Sequence, residues 1–156
     1  SEGFPVILDL YGLANKKPLR KLNKYINKYD PERKFIRYRD EIHFTQVHNI
    51  YKQADTSVFA SSCETFGQIV LESMASGLPI ACSRLSSMHE IIKDGCIYFN
   101  PLEPKEIYSA LKELLLSAEI RTNKSEKAYK YSSDFSWKST SQQTFQYIYK
   151  VQKEDS

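Results

Sequence analysis

The sequence predicts an α/β domain in which a mostly parallel sheet is covered by helices on both faces. About five short apolar runs alternate with amphipathic stretches of helical period. Several of these runs are apolar throughout, without the in-and-out alternation of a half-exposed strand. Glycine or proline marks many of the junctions. At 156 residues the chain suffices for one domain, taken as residues 1–156, and is short for two.

FPVILDLYG, residues 4–12, is an apolar run ended by Gly12, which suits a strand leading into a turn. KKPLRKLNKYINKYD then places Leu19, Leu22, Ile26 and Tyr29 at helical spacing with lysines between them. KFIRYRD, residues 34–40, is a weaker strand, and residues 46–54 form a short helix with Val47, Ile50, Tyr51 and Ala54 on one side. DTSVFASS gives a strand ending near Ser61, and GQIVLESMAS a helix facing Val70 and Met74 inward. GLPIACS is a buried strand with Gly77 terminating the helix before it. MHEIIKDG supplies one or two helical turns closed at Asp94-Gly95, and CIYFN a further strand. Pro104 opens a helix over 104–117 with Ile107, Leu111, Leu114 and Leu115 on its apolar face. Residues 117–133 are mostly helical, and a last helix is expected to pack Phe145, Ile148 and Tyr149.

Twenty-two basic against 19 acidic residues give a formal charge of +3, too mild a balance to identify a nucleic-acid binder. Cys63, Cys82 and Cys96 show neither zinc spacing nor an even disulfide framework, and with Cys82 and Cys96 in apolar runs, buried free thiols in a reducing compartment are expected. His43, His48 and His89 match no ligand pattern, and no metal is expected. No stretch approaches the roughly 20 apolar residues that span a bilayer, and no secretory signal is found. The expectation is a cytoplasmic chain. Lys16, Lys17, Arg20, Lys21 and Lys24 form a basic helix face, read as solvated before it is read as a contact with membrane or phosphate.

The stretch CETFGQIVLE holds two glutamates eight residues apart. In a parallel α/β sheet, ligands gather where strand carboxyl ends meet helix amino termini. Glu64 falls in such a loop, Glu72 about a turn and a half into the helix, and Gln68 shares its face. The first amides of that helix, Gly67, Gln68 and Ile69, suit a phosphate or diphosphate, and Gly67 has no side chain in the way. Carboxylates beside a diphosphate make sense only against neutral hydroxyls, one set on a sugar and the other on a ribose. Spacing alone favours the ordinary reading, with Glu64 as a helix N-terminal charge and Glu72 on an exposed helical edge.

The run ADTSVFASSCETFGQIVLESMASGLPIACS, residues 54–83, resembles the donor-binding region of retaining glycosyltransferases of GT-B architecture (group 1, family 4). The shared features are Glu64, Phe66-Gly67, Glu72, Ala75, Gly77 and Pro79. Gly12, the segment Tyr51 to Asp55, MHEII and IYFNPLEPKEI extend the likeness over nearly the whole chain. The resemblance implies the Rossmann-like carboxyl-terminal half of a GT-B fold. It gives Glu64, the residue assigned to the catalytic centre, a contact with donor-sugar hydroxyls, and Glu72 the ribose. Thr65, Phe66, Gly67, Gln68 and Ile69 would hold sugar and diphosphate, with Gly12, Ile42 and Arg84 as further candidates.

The resemblance further implies sugar transfer from a nucleotide-diphosphate donor to a saccharide, lipid or small-molecule acceptor, with no other cofactor. The usual scheme is front-face attack with retention, the leaving diphosphate accepting the acceptor's proton. A first strand with its basic glycine loop is not found ahead of Phe4, and an amino-terminal acceptor domain has no room. The chain is therefore expected to be a donor-binding fragment, inactive alone, of an enzyme that works in the cytoplasm or at a membrane's cytoplasmic face. The alternatives are a non-catalytic binding or regulatory domain of the same fold and a sugar-nucleotide epimerase relative.

Overall fold

The computed structural model describes residues 5–154. The chain divides into two compact units, Ser1–Asn49 and Ile50–Ser156. The expectation for Phe4 lies outside the described residues.

The first unit is a strand, helix, strand crossover. β1 (Leu8–Leu10) pairs parallel with β2 (Ile36–Tyr38) in the register Leu8 to Ile36, and α1 (Lys16–Tyr29) connects them. Leu19, Leu22 and Ile26 turn inward, Ile26 completely, whereas Tyr29, expected with them, is 58% exposed. Tyr29 lies at the last turn, where its ring stacks on Tyr25 instead of entering the core. Asp30, 2% exposed, ends the helix and accepts the amides of Lys34, Phe35 and Ile36 at 2.8, 2.9 and 2.7 Å. One buried carboxylate thus satisfies three backbone donors at the start of β2.

A single 3-10 turn (Phe44–Gln46) leads into α2 (Val47–Gln53). The second unit then runs β3 (Ser57–Phe59), α3 (Gln68–Ala75), β4 (Ile80–Ser83), α4 (Met88–Ile91) and β5 (Ile97–Phe99). Three helices follow: α5 (Pro104–Leu116), α6 (Ala118–Ser132) and α7 (Trp137–Glu154). All pairings are parallel, in the order β3-β4-β5.

β4 is central and buried along its length, which is why its sequence is apolar without alternation. Ile80 and Cys82 face a cluster with Val70, Met74, Met88, Ile91, Ile92, Cys96 and Ala128. Ala81 faces the other way, against Phe99, Ala110 and Leu114. Helices therefore cover both faces of this sheet.

Two expectations change. Hydrogen-bonded pairing among the described residues falls into a two-stranded and a three-stranded sheet, not one ladder of five. The Ser57 amide, at the start of β3, is taken by Pro79 O at the start of β4. Phe145, Ile148 and Tyr149 are 72%, 55% and 59% exposed, so the last helix does not pack them. Large apolar residues at 145, 147, 148, 149 and 151 fall within an arc of about 200° on α7, and none of its described residues is buried.

Candidate functional site

The loop from β3 to α3 is held by its neighbours rather than by its own hydrogen bonds alone. Ser86 Oγ accepts the Glu64 amide at 3.1 Å, and Ser87 Oγ donates to Thr65 O at 2.9 Å. Both serines belong to the loop that follows β4, where Ser86 adopts a positive φ of 61°. The carboxyl ends of two adjacent strands thus send out loops that lock together, as expected of parallel α/β sites.

Gly67 caps α3 in the left-handed region, at φ 74° and ψ 51°, and is buried. A Cβ there would lie 2.7 Å from Met88 Cε and 3.6 Å from Glu64 Cγ. The left-handed conformation favours glycine, and a Cβ would also have to displace the flexible tail of Met88. The first helical bonds run from Val70 and Leu71 to Gly67 O, at 2.9 and 3.2 Å. The amides of Gln68 and Ile69 therefore lie ahead of the ladder as free helix-start donors, where the helix dipole favours an anion.

Glu64 is half-buried, with Oε1 accepting the Thr65 amide at 3.0 Å. Glu72, also half-buried, accepts the Tyr51 hydroxyl on Oε2 at 3.1 Å, and Ile69 O lies 3.4 Å from the same hydroxyl. Burial, assisted by the adjacent Glu72 charge, pushes the Tyr51 phenol up to about 12, so it remains a donor. A hollow of about 210 Å³ lies along this flank, lined by Gln68, Leu71, Glu72, Ala75, Ser132 and Phe135. Gln68 and Glu72 do share one face. Phe66, half-exposed, sets its ring edge against Phe135 with centroids 5.9 Å apart.

The second unit thus gathers Glu64, Thr65, Phe66, Gly67, Gln68, Ile69 and Glu72 within one loop and the helix it starts. Gly12 and Ile42 belong to the first unit. There Gly12, at φ 134°, donates to Asp40 O at 3.0 Å, and its own carbonyl accepts the Tyr38 hydroxyl at 2.7 Å. Arg84 follows β4, where its guanidinium is taken by Glu106, which also accepts the Asn100 amide at 2.9 Å. The histidines stand at the surface, His43 against Phe44 and His89 against Tyr98. Among the described residues no group of three or more His, Cys, Asp or Glu is placed to hold a metal ion. Sequence reasoning missed Tyr51 as the partner of Glu72 and Ser86, Ser87 and Met88 as the frame of the loop. Tyr51 and Met88 did fall in segments that resemble the family, but without a partner assigned, and Ser86-Ser87 reads as an ordinary connection.

The family model described as "Glycosyl transferases group 1" matches residues 5–131. The chain belongs to this family. The group 1 match includes the whole of the β3 to α3 loop and both glutamates. Among relatives of this group 1 chain, the O-antigen chain mannosyltransferase RfbU of Salmonella typhimurium is 32% identical over 79 residues, covering 51% of the chain and 22% of that protein. A glycosyltransferase structure from Rickettsia africae superposes with a TM-score of 0.83 at 16% identity, over 99% of this chain and 42% of the other. Anabaena HepE, solved in complex with UDP, gives a TM-score of 0.82 at 17% identity, over 93% and 41%. The group 1 chain thus spans about a fifth of the mannosyltransferase's length and about two fifths of each solved chain. Its fold is a Rossmann-like α/β domain corresponding to the carboxyl-terminal half of GT-B.

Proposed function

We propose that this chain binds the nucleotide-diphosphate sugar for a retaining glycosyltransferase that acts on a saccharide, lipid or small-molecule acceptor. The observation that carries the reading is the start of α3. A glycine in the left-handed conformation opens a helix whose first amides lie, in sequence, between two carboxylates. The amides of Gly67, Gln68 and Ile69 take the diphosphate. Glu64 receives hydroxyls of the transferred sugar, and Glu72, steadied by Tyr51, receives the ribose hydroxyls.

In the reaction the bond between the anomeric carbon and the diphosphate oxygen breaks, and charge accumulates on that oxygen. Fixed amides and the dipole of α3 stabilise it without having to reorganise. The acceptor hydroxyl attacks from the side the diphosphate leaves, so configuration is kept, and its proton passes to the departing oxygen. Glu64 serves here as an orienting acceptor of hydroxyl protons, not as a nucleophile. Two carboxylates in one loop and its helix do not flank a sugar ring as glycoside hydrolysis needs. The named activities of relatives, and the UDP held by HepE, support a nucleotide-sugar donor.

Titration of the chain with UDP-, GDP- and ADP-sugars, followed by amide NMR, tests the assignment. Selective shifts at Gly67 to Ile69 with one nucleotide class, reduced in Glu72→Ala, would support it. Saturation by a nucleotide sugar with these amides unmoved would sink it. Transfer on adding a complementary acceptor domain would separate an enzyme half from a non-catalytic domain of the same fold.

A further inference from the structure

The charge of the molecule is concentrated on one helix. α1 carries Lys16, Lys17, Arg20, Lys21, Lys24 and Lys28 and no acidic residue. These are six of the 22 basic residues, so the remaining 16 stand against all 19 acidic ones and the rest of the chain is net −3. At 3.6 residues per turn, Lys17, Arg20, Lys21, Lys24 and Lys28 fall within an arc of about 100°. Leu19, Leu22 and the fully buried Ile26 lie on the opposite side.

An ordinary solvated helix face intersperses acids and bases, as α5 does with Lys105, Glu106, Lys112 and Glu113 and α6 with Glu119, Arg121, Glu126 and Lys127. In α1 the bases instead stand four apart from one another, at 16 and 20, 17 and 21, 20 and 24, and 24 and 28. They also crowd the amino-terminal turns, where the helix dipole disfavours them. Both placements cost helix stability. None of the six is ion-paired among the described residues.

Lys21, Lys24, Tyr25 and Lys28 surround a shallow hollow of about 320 Å³. Tyr25 is half-exposed and stacks at 6.2 Å on Tyr29, over whose ring Lys28 Nζ lies at 4.9 Å. Ammonium groups and a phenol around one hollow form a donor set for a phosphate. Tyrosines on the flank of a cationic face suit the headgroup level of a bilayer. The face is a convex ridge about 20 Å long, which meets a plane well and offers no groove to track a nucleic-acid strand.

We propose that this face of α1 docks on a membrane surface bearing anionic phospholipid, with one phosphate headgroup held between Lys21, Lys24, Tyr25 and Lys28. The contact is electrostatic, because the apolar side of α1 is committed to its own unit and does not insert. It is independent of the donor site.

Co-sedimentation of the full chain with phosphatidylcholine vesicles, alone or containing phosphatidylglycerol, is the test. Binding should require phosphatidylglycerol, vanish in high salt, and fall on the order of a hundredfold in Lys21→Gln/Lys24→Gln/Lys28→Gln. The triple variant Lys105→Gln/Lys130→Gln/Lys138→Gln, which removes the same charge from exposed sites elsewhere, should bind as the wild type does. No binding to phosphatidylglycerol, equal binding to neutral vesicles, persistence in high salt, or equal loss in both triple variants would overturn the proposal. So would tighter binding of a labelled oligonucleotide than of anionic vesicles, which would make the ridge a nucleic-acid site. Circular dichroism of each variant confirms that folded proteins are compared.

Discussion

Gly67 and Tyr51 act on the candidate site by different means, one through backbone shape and the other through a proton. Any side chain at 67 meets a left-handed φ and the tail of Met88. The Met88 methyl can swing aside, but the backbone penalty stays, so Gly67→Ala is expected to lose about 1–2 kcal/mol in urea unfolding. Unchanged stability would mean that the α3 start is not held as described. Tyr51 donates to Glu72 and remains protonated below about 12. Tyr51→Phe removes that donor without removing the ring, and donor affinity should fall about fivefold, for a net hydrogen bond of about 1 kcal/mol. Calorimetric titration that gives Tyr51→Phe the wild-type affinity would remove Tyr51 from the site. Both effects were half legible in the sequence. The Phe66-Gly67 step between two glutamates drew attention to the place, but a contact across 21 positions between a phenol and a carboxylate leaves no local pattern.

Two adjacent residues, Asp94 and Gly95, meet α6 closely. A Cβ on Gly95 would lie 2.9 Å from the backbone N and Cα of Ala128, which no rotamer can relieve. Gly95→Ala should therefore cost about 1–3 kcal/mol, as overpacking does, readable in the urea midpoint. Asp94 accepts Lys127 Nζ at 2.6 Å and the Tyr131 hydroxyl at 2.7 Å. These bonds, the lysine's first, hold its carboxyl down at about 2. A depressed folded pKa gives stability that is complete above the unfolded aspartate value of about 4 and is lost as pH falls towards 2. The melting temperature of the wild type should thus drop over that interval, and its margin over Asp94→Asn should close there. A margin that does not change with pH would contradict the bond. The sequence showed Asp94-Gly95 as the end of a short helix and placed the helices of this unit within a few residues. What it lacked was the partner surface. The apolar residues of α7 form one broad face, as a packing helix does, yet that face stays exposed.

Burial is very unequal between the two units. Both multi-residue clusters of buried apolar side chains belong to the second, whereas the fully buried positions named in the first are Ile26 and Asp30. A core of that size supports folding and a nearly coreless segment below about 50 residues does not. Residues 50–156 expressed alone are expected to unfold cooperatively in urea, and residues 5–49 alone to lack a transition. A gradual loss of signal in the larger piece would show that its core is insufficient. The alternation of strands and helices was legible over the whole chain because parallel, buried strands leave uninterrupted apolar runs. The break between the two ladders was not, since it depends on which backbone groups find each other. The thiols are distributed just as unevenly. Cys82 and Cys96 are buried, and the hydrogen bond between them, with burial, raises the Cys82 pKa, while Cys63 is exposed immediately before Glu64. A maleimide dye should consequently attach to the native protein at a single position, beside the loop that opens α3, and donor occupancy could be followed by fluorescence without engineering a cysteine.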